Sequence, residues 1–146
     1  MRREETIDHN IKTTWHAIAR MYNQQAGKYN LTTSMGFVLL NIDTEEGTPA
    51  TKIAPQMGLE ARSLTRLLKS MEEKALIYRK ADDIDKRSVR VFLTKNGKRK
   101  KEKSKEVVLK FNEYAKMEIA EEKLRVFFDV LKSINQMIER NDIYQK

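Results

Sequence analysis

Leu59-Glu-Ala-Arg-Ser-Leu-Thr-Arg-Leu-Leu-Lys-Ser-Met-Glu-Glu-Lys74 is the stretch on which the fold turns. Leu64, Leu67, Leu68 and Met71 recur at three- and four-residue steps, the spacing of one helical stripe, and Arg62, Ser63, Thr65, Arg66 and Lys69 lie outside it. One face therefore suits a core and the other is rich in hydrogen-bond donors. Working outward, Thr51-Lys-Ile-Ala-Pro-Gln-Met57 reads as a short helix capped by Thr51, with Gly58 supplying the tight turn between two helices. Pro55 removes one backbone donor, so this helix is expected to be short or distorted. Downstream, Leu76–Lys80 and Val89–Leu93 are β-rich runs on either side of the charged loop Asp82–Ser88, the pattern of a hairpin or wing. Helix, turn, basic helix and hairpin together make a winged helix, which is the geometry of a DNA reader.

The flanks are helical. Ile7, Ile11, Trp15, Ile18, Tyr22 and Ala26 predict an amphipathic helix over Thr6–Ala26, ended by Gly27. Leu31-Thr-Thr-Ser34 caps a second helix that stops by Glu45-Glu-Gly47, and Gly47–Ala50 is expected to be extended, with Pro49 suited to a sheet edge. Thr94 can cap a long helix that begins in the basic run Lys95–Lys105, which holds seven lysines and arginines. That run fits a patch near nucleic-acid phosphates or a solvated helix face equally well. A weak break at Glu118–Glu121 precedes a last helix striped by Leu124, Phe127, Phe128, Leu131, Ile134 and Ile138. A winged helix needs only about 70 to 90 residues to fold. The end stripes, Ile7, Ile11 and Trp15 with Phe127, Leu131 and Ile134, are surplus to it and call for a partner chain.

Composition narrows the functional classes. The 146 residues carry 29 Lys+Arg against 21 Asp+Glu, a formal charge of +8, so a polyanion is the expected partner. The absence of cysteine removes disulfides, thiolate metal sites, cysteine nucleophiles and thiol redox sensing. His9 and His16 stand two helical turns apart, too far to share a metal ion unaided. There is no glycine-rich phosphate loop and no convergent set of ligands or acid–base groups, which argues against an enzyme and against any cofactor. No apolar run approaches the ~20 residues that span a bilayer, and the N-terminus has no apolar segment behind its two arginines. No membrane association is expected, and the cytoplasm is the default location.

In its wing, Asp85-Lys-Arg87 followed by Val91-Phe-Leu-Thr94 and Gly97 resembles the Asp-x-Arg and Leu-Thr-x-x-Gly pattern of the MarR (multiple antibiotic resistance regulator) family of winged-helix transcription factors. Ser63-Leu-Thr-Arg66, Met71-Glu72 and Ala75-Leu-Ile77 are similar to that family's reader segment, with Ala75 standing where glycine is usual. The resemblance covers nearly the whole chain. It implies one domain over residues 1–146, mainly α with a small β wing: a winged helix at 31–97 and dimerisation helices at 6–30 and 98–143. It also implies a homodimeric regulator, a repressor of transcription, on a pseudo-palindromic operator. Arg62, Ser63, Thr65 and Arg66 are then expected at the major groove and Arg87 of the wing at the minor groove, where A·T-rich tracts concentrate negative potential, with Thr51, Lys69 and Lys86 as further DNA contacts. Within the wing, Arg87 has an alternative partner in Asp83 or Asp85. The resemblance further implies a small-molecule effector in a crevice of the first, second and fifth helices, where this chain offers Trp15, His16, Arg20, Met35, Leu39 and Phe111. Aromatic walls with one cation and one titratable ring suit an aromatic carboxylate; the alternative is that Trp15 is dimer core and that His16 and Arg20 are solvated. The competing reading of another class is a winged-helix module whose basic face binds an acidic protein.

Overall fold

The computed structural model describes residues 1–145. After a 3-10 turn at Arg3–Glu5 come α1 (Ile7–Gly27), α2 (Thr33–Leu40), β1 (Thr48–Pro49), α3 (Ala50–Met57), α4 (Ala61–Glu73), β2 (Ile77–Ala81), β3 (Val89–Leu93), α5 (Lys95–Glu118) and α6 (Glu121–Arg140). The chain is mainly helical with one small antiparallel sheet of order β1-β3-β2, the arrangement of a winged helix. β2 and β3 pair from Ile77↔Leu93 to Ala81↔Val89, and β1 adds Thr48↔Val91 and Pro49↔Arg90. Pro49 thus sits on an edge strand, where its missing N–H disturbs no inner ladder.

Cα packing divides the chain into two units, Met1–Val108 and Leu109–Lys146. The first holds the core. Val38, Leu39, Ile42, Ile53, Leu64, Leu68, Met71, Ile77 and Val91 are buried together, so the stripe of α4 meets α2, α3 and the inner face of the wing. Burying one such side chain contributes about 1.5–3 kcal/mol. In the second unit α6 has no buried residue among those described, and Val126, Phe127, Phe128, Met137 and Ile138 are exposed. Ile7, Ile11 and Trp15 of α1 are exposed as well.

Helix ends account for most differences from the sequence expectations. Gly27 is the last residue of α1 rather than its stop. The left-handed residue is Asn30 (φ 57°), whose N–H donates to Gly27 O while Leu31 N–H donates to Ala26 O. α2 closes at Leu40, well before Glu45. Its cap is as expected, with Thr32 Oγ1 accepting from Met35 N at 3.2 Å. Thr51 does not cap α3, because that helix begins at Ala50 behind Pro49. Pro49 is already in the extended conformation that an N-cap requires (φ −60°, ψ 137°), so the helix can start before the threonine. Pro55 therefore lies inside the helix, which has only eight residues. Gly58 (φ 65°) does make the turn, and Leu59 N–H closes it on Ala54 O.

Candidate nucleic-acid interface

α4 sorts its residues by direction. Leu64, Leu68 and Met71 are buried and Leu67 is half-buried, while Arg62, Ser63, Thr65, Arg66 and Lys69 are all exposed. At about 100° per residue, Arg62, Thr65, Arg66 and Lys69 share one arc of about 100°, with Ser63 about 60° beyond it. Among the described residues none of Arg62, Arg66 and Lys69 has a carboxylate partner. The Thr65 hydroxyl donates to Ala61 O at 2.9 Å, which leaves its lone pairs to accept. Thr51 is exposed on α3. Such a face offers planar guanidinium forks, a lysine and two hydroxyls, the groups that bond base edges and phosphates.

The wing loop is held together by its own aspartates. Asp82, 8% exposed, accepts from Arg90 Nη1 at 3.3 Å and from Asp85 N at 3.2 Å. Arg90 also reaches Glu46 O at 2.8 Å, tying the base of the wing to the turn before β1. Asp85 accepts from Arg87 N and from Ser88 Oγ. The Arg87 backbone N–H, and after it the Ser88 hydroxyl, hold the Asp85 carboxyl below the ordinary range. The Arg87 guanidinium grazes Asp85 at 3.4 Å, yet its side chain is 94% exposed. Lys86 is exposed beside it. Arg79 of β2 donates from Nε to Glu72 at 2.6 Å, so the wing is also pinned to α4. On the outer face of the wing Tyr78 stacks on Phe92 (5.2 Å, 12°), with the Lys80 ammonium over both rings. Sequence reasoning missed the work of Asp82, Arg90, Glu72 and Arg79. The Asp85-x-Arg87 spacing was the one available signal, since an aspartate two residues before a donor forms an Asx turn.

The junction between α4, the wing and α5 explains two further motif positions. Ala75 is left-handed (φ 57°), with its N–H on Glu72 O and Leu76 N–H on Met71 O. Thr94 Oγ1 lies 2.6 Å from Ala75 O and accepts from Gly97 N at 2.9 Å, while Thr94 N–H donates to Leu76 O. A Cβ on Gly97 would stand 1.9 Å from Leu76 O, so only glycine fits there.

The basic run resolves differently for different residues. Lys101 is buried, and its ammonium donates to Ile42 O and to Thr44 Oγ1 at 3.1 Å. Lys100 donates to Tyr29 O at 2.7 Å. These two tie α5 to the chain just past α1 and α2, a task that neither a DNA patch nor a solvated face would give them. Lys95, Lys98, Arg99, Lys103 and Lys105 are exposed.

The residues assigned to an effector crevice separate. Met35 and Leu39 are buried in the core, and His16 and Arg20 are exposed. Trp15 is 48% exposed with its ring 6.1 Å from Phe37, and Phe111 is half-buried in the second unit. Met35 and Leu39 are drawn inward because α2 has only eight residues and turns its apolar stripe to the core. A crevice does lie among α1, α2 and the start of α5, walled by Tyr22, Tyr29, Phe37, Leu40, Val107 and Val108 among others. Its volume is about 30 Å³. Among the described residues no helix is long and apolar enough to cross a membrane, and no group of three or more His, Asp or Glu side chains is placed to hold a metal ion.

A sequence model of the MarR family matches residues 31–89. The HTH-type transcriptional regulator SarZ of Staphylococcus aureus (strain USA300) is 29% identical over 128 residues, which are 87% of this chain and 82% of SarZ. Among solved structures, S. aureus MepR in complex with DNA has a TM-score of 0.83 at 20% identity, over 91% of this chain and 98% of that one. CouR from Rhodococcus jostii RHA1 bound to p-coumaroyl-CoA has a TM-score of 0.77 at 20% identity, over 92% and 94%. At such identities the likeness in shape speaks to the fold.

Proposed function

Because this chain belongs to the MarR family of winged-helix regulators, we propose that it is a transcriptional repressor that binds double-stranded DNA sequence-specifically. It acts in the cytoplasm as a homodimer on a pseudo-palindromic operator. The observation that carries this reading is the basic face of α4, where Arg62, Arg66 and Lys69 have no carboxylate partner among the described residues, together with an Arg87 side chain that stays 94% exposed although its Nε lies 3.4 Å from Asp85. Arg62 and Arg66 read base edges and phosphates in the major groove, with Ser63, Thr65, Lys69 and Thr51 as flanking contacts, and Arg87 and Lys86 enter the minor groove. The exposed apolar faces of α1 and α6 are the homodimer surfaces, a use that would relieve them of water. Relatives named as regulators, and solved structures holding DNA or a ligand, support the same reading.

The effector is a small aromatic acid that enters among α1, α2 and α5. At about 30 Å³ the crevice holds little more than a water molecule, so such a ligand must spread those helices to bind. A ligand that binds the spread form better shifts the protein towards it, and operator affinity changes with it. Footprinting on the promoter of the protein's own gene is the decisive experiment. A protected pair of half-sites about one helical turn apart is expected. Equal, weak, salt-sensitive retardation of every duplex would refute sequence-specific recognition, and no retardation at low salt would favour an acidic protein partner instead.

A further inference from the structure

A second cavity, of about 390 Å³, is walled by Tyr29, Asn30, Lys74, Leu76, Asn96 and Lys100. It is open without any movement, and four elements meet at it: the end of α1, the end of α4, the start of the wing and the first turn of α5. Its chemistry is one-sided. The Lys100 ammonium lies 2.7 Å from Tyr29 O and that of Lys74 lies 3.4 Å from Asn30 O, so two cations are held against consecutive carbonyls of one turn. No carboxylate is among the lining residues, and neither lysine has an acidic partner among those described. Each ammonium has three N–H groups and spends one on a carbonyl, leaving two to offer. The carboxamides of Asn30 and Asn96 add neutral donors, and Asn96 stands in the first turn of a 24-residue helix, whose N-terminal end is electropositive.

We propose that this cavity binds a small, doubly charged oxyanion, the phosphate group of a soluble metabolite, bridged between Lys74 and Lys100. Two like charges facing one opening repel each other, and an anion between them turns that repulsion into two attractions. The phosphate is not one from the DNA that α4 reads, because Lys74 lies twelve residues beyond Arg62, about 18 Å along the helix. An occupant clamps α1 and α5 to the end of the reading helix, so it stabilises the fold as a whole.

Inorganic phosphate is the probe. The full chain is melted at pH 7.5 and constant ionic strength while phosphate replaces chloride. A saturable rise in Tm is expected, about 3–6 °C at ten times Kd. Lys74→Gln, an exposed position that leaves the core untouched, should abolish the saturable part. Lys100→Gln should do the same, and Lys69→Ala should retain it. A rise that is absent from the parent, or undiminished in Lys74→Gln, overturns the proposal. The salt dependence of duplex-DNA binding is measured on Lys74→Gln in parallel and should equal that of the parent. A slope lowered by about one contact would assign Lys74 to the DNA backbone and overturn the proposal by that route.

Discussion

Replacing Gly97 with alanine should destabilise the protein by about 2–4 kcal/mol, although alanine is the better helix former by about 1 kcal/mol. The sign follows from one distance. An added Cβ would lie 1.9 Å from the Leu76 carbonyl oxygen, and real Cβ contacts do not fall below 3.0 Å, so backbone must move by about an ångström. Both partners in the clash are backbone, and neither can swing away as a flexible side chain would. Movement of that size breaks the bonds from Thr94 N–H to Leu76 O (3.1 Å) and from Gly97 N–H to Thr94 Oγ1 (2.9 Å). These two cost about 1 kcal/mol each. Overpacking adds about 1–3 kcal/mol, and the propensity gain offsets about 1 kcal/mol. Urea unfolding followed by circular dichroism at fixed protein concentration measures the difference. Gly27→Ala is the control, since Gly27 lies in α1 with nothing within 4 Å of an added Cβ, and it should be neutral or stabilising. A Gly97→Ala protein as stable as the parent would show that the close approach of α5 to Leu76 is not real.

Ala75→Gly should act in the opposite sense and raise stability by about 0.5–1 kcal/mol in the same assay. It relieves a left-handed residue of about 1–2 kcal/mol and gives back part of that as unfolded-chain entropy, and the exposed Ala75 methyl group packs against little. The Asp43 carboxyl accepts from Glu46 N and Glu45 N, which lower its pKa below the ordinary carboxylate value. Its contribution is therefore whole above that ordinary value and fades as pH falls towards the lowered one, so Asp43→Asn should flatten the loss of stability on acidification below about pH 4. Arg87→Ala should weaken binding to operators with A·T-rich flanks more than to G·C-rich ones, whereas Arg66→Ala should relax preference at one base or lower the salt slope by about one. Unchanged affinity in both variants would refute the assigned reading faces. Phe127→Glu, on the exposed face of α6, should yield monomers by light scattering at micromolar concentration while helicity is retained.

What could be read from the sequence was whatever periodicity and turn chemistry encode. Leu64, Leu68 and Met71 announced the buried side of α4, and the alternation around Val91 announced a strand with one inner face. Helix ends were less legible, because the left-handed residues that stop α1 and α4 are Asn30 and Ala75, and a search for glycine passes over them. Pro49 displaced Thr51 at the start of α3 because its backbone already has the extended conformation of an N-cap, although it supplies no side-chain acceptor. Side-chain partners at long range were not legible at all. Nothing local in Lys95–Lys105 distinguishes Lys101, bonded to Ile42 O fifty-nine residues away, from the exposed Lys103. None of Trp15, His16, Arg20, Met35, Leu39 and Phe111 is among the walls of the small crevice beside α2, because which residues face it depends on how the short α2 rolls, and that is decided by the whole core.

The closed bonding of residues 82–88 also bears on the entropy of association. Asp82 N–H is on Ser88 O, Ser88 N–H on Asp85 O, Asp85 N–H on Asp82 Oδ2 and Arg87 N–H on Asp85 Oδ1, so the loop has its shape before any partner arrives. A floppy loop of that length would surrender about 1–2 kcal/mol of backbone freedom per residue on docking, enough to consume the gain from several phosphate contacts. Here that cost falls on folding, once, and a partner that met the wing in the way proposed would have little more than the Arg87 and Lys86 side chains to immobilise.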